Sequence, residues 1–144
     1  MMKLDIKENA LNDMLEHAEQ AYPDECCGFM YGSATGDQRS VVRAGKVRNA
    51  KEGDRSDRFE IDPEDYRKAE SYAAESELDL IGVYHSHPDH PAEPSEHDRK
   101  VAMPWFSYVI VSVRKGRAAD IRSWQLNENR SFEEETVAAK DFTD

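Results

Sequence analysis

In a chain of 144 residues of which 34% are charged, the uncharged run Cys26-Cys27-Gly28-Phe29-Met30-Tyr31-Gly32 constrains the fold most. A run so poor in polar groups reads as a buried central strand. Leu78 to His87 is a second apolar strand. The rest of the chain supplies cover for them. Lys7 to Tyr22 places Ala10, Leu11, Met14, Leu15, Ala18 and Tyr22 at helical spacing, and Pro23 ends that helix. Ser33 to Gln38 is turn chemistry, and Ser40 to Val47 returns as the second strand of a hairpin. A polar loop, Asn49 to Asp57, leads to a short strand expected at Arg58 to Ile61. Asp62 as N-cap and Pro63 at the first helical position then start a helix running to about Glu77. Beyond the Pro-rich loop Pro88 to Pro94, Ser95 caps a short helix, Glu96 to Ala102, which Pro104 stops. Tyr108 to Arg114 and Ala118 to Leu126 form a hairpin around Lys115-Gly116. Lys3 to Ile6 is a short strand, and Ser131 to Lys140 a weaker final element. This order predicts a mixed α/β fold: a central, mostly antiparallel curved sheet flanked by helices. The expected organisation is one domain over 1–144, with the core at about 2–126 and a terminal element or tail at 127–144.

A net charge of −11 argues against nucleic acid or an anionic membrane as partner, since both reward basic surfaces. It also fits solvent adaptation in a salt-loving host. No stretch approaches the roughly 20 apolar residues that span a bilayer, and the N-terminus lacks the apolar run of a signal peptide, so the expected location is the cytoplasm. The adjacent pair Cys26 and Cys27 would need strained geometry to form a disulfide and lacks C-x-x-C spacing. Both read as reduced, buried, small hydrophobes. Against the acidic background stands Arg39 to Arg58, with Arg39, Arg43, Lys46, Arg48, Lys51, Arg55 and Arg58. It is either a solvated face or a docking surface.

Four of the five histidines fall between Tyr84 and Asp98. His85 and His87, at i and i+2 on a strand, point to one face and can reach one ion. Asp98, ten residues or so further on at the start of a helix, could add a carboxylate. Two imidazoles and one oxygen suit zinc, and three protein ligands with one position free is the arrangement of catalytic zinc. Bland readings compete. His-x-His can be a solvated strand end, and an acid in a helix's first turn is stabilised by the macrodipole. Ser95 with Asp98 also makes a capping box. His90 and His97 lie outside the spacing and read as surface histidines.

The stretch His85-Ser86-His87-Pro88-x6-Ser95-x-x-Asp98 resembles the full signature of the JAMM (MPN-plus) metalloproteases, the family of zinc deubiquitinases and their bacterial relatives. Upstream, Glu25-Cys26-Cys27-Gly28 followed by Phe29-Met30-Tyr31-Gly32 is similar to the family's second element, a Glu before x-Cys-Gly and an apolar strand. The resemblance implies a single MPN/JAMM-like domain holding one Zn2+ through His85, His87 and Asp98. Ser95 would steady the water or the developing oxyanion, and Glu25 would be the general acid/base. Asp24 is the rival base. Zinc lowers the pKa of a bound water from about 15.7 to about 7, so no cysteine nucleophile is required. A chain this small resembles the stand-alone bacterial members that act near the C-terminal diglycine of ubiquitin-like sulfur-carrier proteins. The implied activity is that of a zinc peptidase or isopeptidase. A non-catalytic MPN-type scaffold and a 2-His-1-carboxylate iron oxygenase are the alternatives. The second leaves Glu25 and Ser95 without roles.

Overall fold

A computed structural model describes residues 2–139. Seven strands and three helices follow in the order β1 (Lys3–Ile6), α1 (Glu8–Ala21), β2 (Cys27–Thr35), β3 (Gln38–Val47), α2 (Pro63–Glu75), β4 (Asp79–Pro88), α3 (Glu96–Val101), β5 (Ser107–Arg114), β6 (Arg117–Leu126) and β7 (Phe132–Ala139). The strands lie side by side as β1-β3-β2-β4-β5-β6-β7, and the sheet curls until it closes into a barrel. The four hairpin-like contacts are antiparallel, whereas β4 runs parallel to β5, and β1 runs parallel to both β3 and β7. The closing element β7 is the segment that periodicity marks only weakly at 131–140. It belongs to the barrel wall rather than to a tail. Arg58 to Ile61, expected as a strand, lies in a loop outside any ladder.

The uncharged run forms β2, flanked by β3 and β4 and buried over its first six residues. Its side chains alternate between two cores. Cys26 and Met30 join Leu11, Met14 and Ala18 of α1, together with Val109 and Val111 of β5. Cys27, Phe29 and Tyr31 join Ala69 and Ala73 of α2, with Phe59, Val83 and Phe106. Gly28 stands where the Tyr84 ring crosses the strand. A Cβ there would come within 2.2 Å of that ring, so the Cys-Gly step of the motif has a packing reason. Asp62 caps α2 through its side chain, which accepts from the Glu64 N–H at 2.9 Å.

Two features of the sheet place the site. β2 and β4 are antiparallel with Cys27 opposite His85, so two residues back along one strand, Glu25, meets two residues on along the other, His87. The register between the strands shifts at Met30/Tyr31. Beyond the shift, His85 and His87 share the face of Val83, the face covered by Phe59 and α2.

Candidate metal centre

His85 and His87 end β4 almost fully buried, at 1% and 6% exposure, with Glu25 (5%) and Asp98 (7%) beside them. Burying four ionisable side chains together is costly unless each is paired or holds a cation. Asp98 arrives from α3, whose first turn is fixed by a reciprocal cap. The Asp98 N–H donates to Ser95 Oγ at 3.0 Å, and the Ser95 N–H donates to Asp98 Oδ2 at 2.9 Å. The capping role is therefore real, and it also aims the carboxylate. The same Oδ2 lies 3.1 Å from His87 Nε2 and 3.9 Å from His85 Nε2.

His87 Nδ1 sits 2.9 Å from the Pro91 carbonyl. A carbonyl can only accept, so Nδ1 carries the proton, and the Nε2 of a neutral ring is left as an acceptor facing a carboxylate. Two acceptors that close need a proton or a cation between them. Burial pushes the His87 imidazole down, but the Asp98 hydrogen bond and charge and the Pro91 carbonyl outweigh it, so the net shift is upward. Burial alone would raise Asp98. The histidines and the Ser95 N–H hold it well below the usual carboxylate range.

His85 is less well served. Both of its ring nitrogens are buried without a hydrogen-bond partner, as is Glu25 Oε1, 3.7 Å from His85 Nδ1. Orphaned buried polar atoms of this kind are rare in folded proteins. The ligand atoms of Glu25, His85 and His87 lie within 4.8 Å of one another, a group that could hold a metal ion. A divalent cation is what this donor set lacks, so the residues fit one.

The four sequence motif positions come together with Ser95 at a cleft of about 450 Å³ that Glu25, His87 and Ser95 help to line. Asp24, the rival base, is exposed. His90 and His97 also line the cleft. His97 is half-buried with an unpartnered Nε2 rather than a plain surface residue. Four further contacts support the site, and among the supporting residues only Ser86 belongs to a sequence motif. Phe59 stacks on His85 with ring centroids 4.5 Å apart. Asn49 Nδ2 donates to the Glu25 carbonyl at 3.1 Å. The Glu25 N–H donates to the Arg55 carbonyl at 2.7 Å. Ser86 Oγ accepts from the Cys26 N–H at 2.8 Å, tying β2 to β4 beside the site.

Residues 7–127 match the family described as prokaryotic homologs of the JAB domain. This chain belongs to that family. It is 30% identical over 124 residues to the tail tip assembly protein K of Escherichia phage N15, covering 83% of this chain but spanning only 44% of the phage protein. It is 31% identical over 131 residues to the CysO-cysteine peptidase of Mycobacterium bovis, covering 90% and 86% of the two chains. The desampylase of Haloferax volcanii is 31% identical over 115 residues, covering 76% and 81%. Among solved structures, a protein of Desulfitobacterium hafniense superposes with a TM-score of 0.82 at 29% identity, covering 95% and 92%. A JAB1/MPN domain protein of Archaeoglobus fulgidus shares the fold, with a TM-score of 0.56 at 19% identity and coverage of 95% and 99%.

Proposed function

We propose that this chain is a zinc-dependent peptidase or isopeptidase that hydrolyses an amide bond at or near the C-terminal diglycine of a ubiquitin-like carrier protein. One observation carries the reading: buried, unpartnered ligand atoms of Glu25 and His85, beside His87 and Asp98, at the wall of an open cleft. Relatives of the same family that span most of this chain act as a desampylase and a CysO-cysteine peptidase, which supports a hydrolase acting on such carriers.

His85, His87 and Asp98 would hold the ion, His87 through the Nε2 left bare by its Pro91 hydrogen bond. An ion held there would supply Lewis-acid polarisation of the scissile carbonyl and would lower the pKa of a bound water toward neutrality. The remaining work falls to the chain's own groups. The Glu25 carboxylate takes the proton from the attacking water and passes it to the leaving amine. Ser95 Oγ already accepts from the Asp98 N–H, so its own proton is free to be donated to the oxyanion, where charge appears in the transition state. Glycines in the substrate tail let its backbone approach a site this deeply buried.

Incubation with a carrier or tail peptide extended beyond its diglycine, followed by intact mass, tests the reading. Wild type should release the extension, and Glu25→Gln should be slower by roughly 10²–10⁴-fold. Equal turnover in the two proteins contradicts the assignment.

A further inference from the structure

Within the basic stretch Arg39 to Arg58, Arg39 and Arg43 contrast with Arg58. Arg39 lies 4.7 Å over the Trp105 ring and donates to Ser107 Oγ at 2.8 Å. Arg43 donates to the Tyr72 hydroxyl and lies 5.8 Å over that ring. Those cations are spent on packing β3 against its neighbours. Arg58 is not. Its carbonyl accepts from Asn49 Nδ2 at 3.1 Å, the same nitrogen that donates to the Glu25 carbonyl. The next residue, Phe59, stacks on His85. On the other side of Arg58 the Arg55 carbonyl accepts from the Glu25 N–H at 2.7 Å, so the loop is pinned to the site before and after Arg58, and Arg58 lines the cleft with Glu25 and His87.

Among the described residues its guanidinium has no hydrogen bond or ion pair. Asp57, the residue before Arg58, also lines the cleft and among the described residues has no partner of its own, whereas the other nearby carboxylates are mostly taken. Glu93 pairs with Arg122 at 3.4 Å, Glu96 with Arg99, and Asp98 with Ser95 and His87. A protein of net charge −11 that keeps an unpaired arginine in its cleft presents a site for an anion.

Resting on the peptidase reading above, we propose that Arg58 determines specificity by recognising the free α-carboxylate of the leaving amino acid. In an α-linked leaving group that carboxylate sits two bonds beyond the leaving nitrogen, so it must lie in the same cleft. In a lysine side-chain linkage the corresponding place holds only methylenes. A guanidinium fork matches a carboxylate through two parallel hydrogen bonds, which a point charge cannot reproduce. The enzyme is thereby tuned to a single residue capping the diglycine rather than to a branched conjugate.

The test uses two tail peptides ending Gly-Gly-Ala, one with a free carboxylate and one with a terminal amide. Wild type should favour the carboxylate by about tenfold in kcat/KM, the low end expected for a charged hydrogen bond at an open cleft. The preference should reside in KM and shrink with added salt. Arg58→Gln should bring the ratio near one, and Arg58→Lys should keep part of it. Lys3→Gln, which removes a charge at the start of β1, should keep all of it. The affinities of the two uncleaved peptides for a Glu25→Gln background should show the same ratio. Only the Arg58 backbone is used structurally, so the variants should fold. An unchanged ratio in Arg58→Gln, or no preference in wild type, overturns the Arg58 assignment while leaving the peptidase reading intact. Failure of wild type to hydrolyse either peptide or a carrier overturns both.

Discussion

Glu25 and Glu135 are both carboxylates buried in a small acidic protein, 5% and 1% exposed, and the fold treats them oppositely. Glu135 sits on β7 directly across from Ser123. Ser123 Oγ donates to its Oε2 at 2.7 Å, and Gln125 Nε2 donates to its Oε1 at 2.9 Å. Each oxygen has a partner, and the group belongs to the barrel wall. Glu25 keeps Oε1 buried and unpartnered, beside a histidine with two bare nitrogens. A satisfied buried carboxylate holds strands together. An unsatisfied one, facing other acceptors, marks where the molecule meets something it does not itself contain.

The two residues should therefore fail in different assays. The largest effect is on turnover. Glu25→Gln, which should slow hydrolysis by roughly 10²–10⁴-fold, should leave the urea midpoint unchanged or slightly raised, since no existing side-chain hydrogen bond is lost. Asp24→Asn, one residue away on the surface, should be nearly silent in both assays. A large loss of stability in Glu25→Gln would make it a second Glu135 and erase the contrast. Next in size, Glu135→Leu strands the Ser123 hydroxyl and the Gln125 amide. It should cost about 1–3 kcal/mol in denaturant unfolding, with turnover per folded molecule retained. Loss of turnover at full stability would tie Glu135 to the chemistry instead.

The smallest effect concerns the cysteines. Burial pushes the Cys26 thiol up to about 11 despite its Ser86 contact, and Cys27 is raised further, also by burial. A raised pKa keeps the thiol protonated, and the reactive thiolate falls tenfold per unit. At pH 8 the native protein should be alkylated at least about a hundredfold more slowly than the denatured chain, with reactivity rising only toward pH 11. The double Cys→Ala variant should keep its turnover. Fast labelling at pH 8, or an inactive but folded double variant, would return a cysteine to the mechanism.

The Glu25 half of this contrast was legible in the sequence, whereas nothing in the weak final element singled out Glu135. The His85/His87 spacing, the capping signal at Ser95 and Asp98, and the uncharged run behind Glu25 encode the site locally, through strand alternation and helix-start chemistry. The buried strands β2 and β4, the Asp62-Pro63 helix start and the Lys115-Gly116 hairpin were readable for the same reason. Closure of the barrel was not. It depends on Lys3 to Ile6 pairing with Thr136 to Ala139, and local periodicity says nothing about a partner so distant in the chain. Phe59 and Asn49 were hidden because they act from a polar loop whose only regularity is its contact with the site. Arg58 to Ile61 has strand-like composition, but Phe59 stacks on His85 and Glu60 bonds to Asn49 and Ala50 rather than to a neighbouring strand of the sheet. The Pro91 carbonyl, which sets the His87 tautomer, is main chain and has no sequence signature.

On the reading proposed above, one ion held by His85, His87 and Asp98 would satisfy the orphaned atoms beside it. Metal content of the purified, zinc-loaded protein tests it directly. The expected result is about one zinc per chain in wild type and in Glu25→Gln, and its loss in His87→Ala and Asp98→Ala. Full zinc in Asp98→Ala together with loss in Glu25→Gln would contradict it, and would make Glu25 a ligand rather than the base.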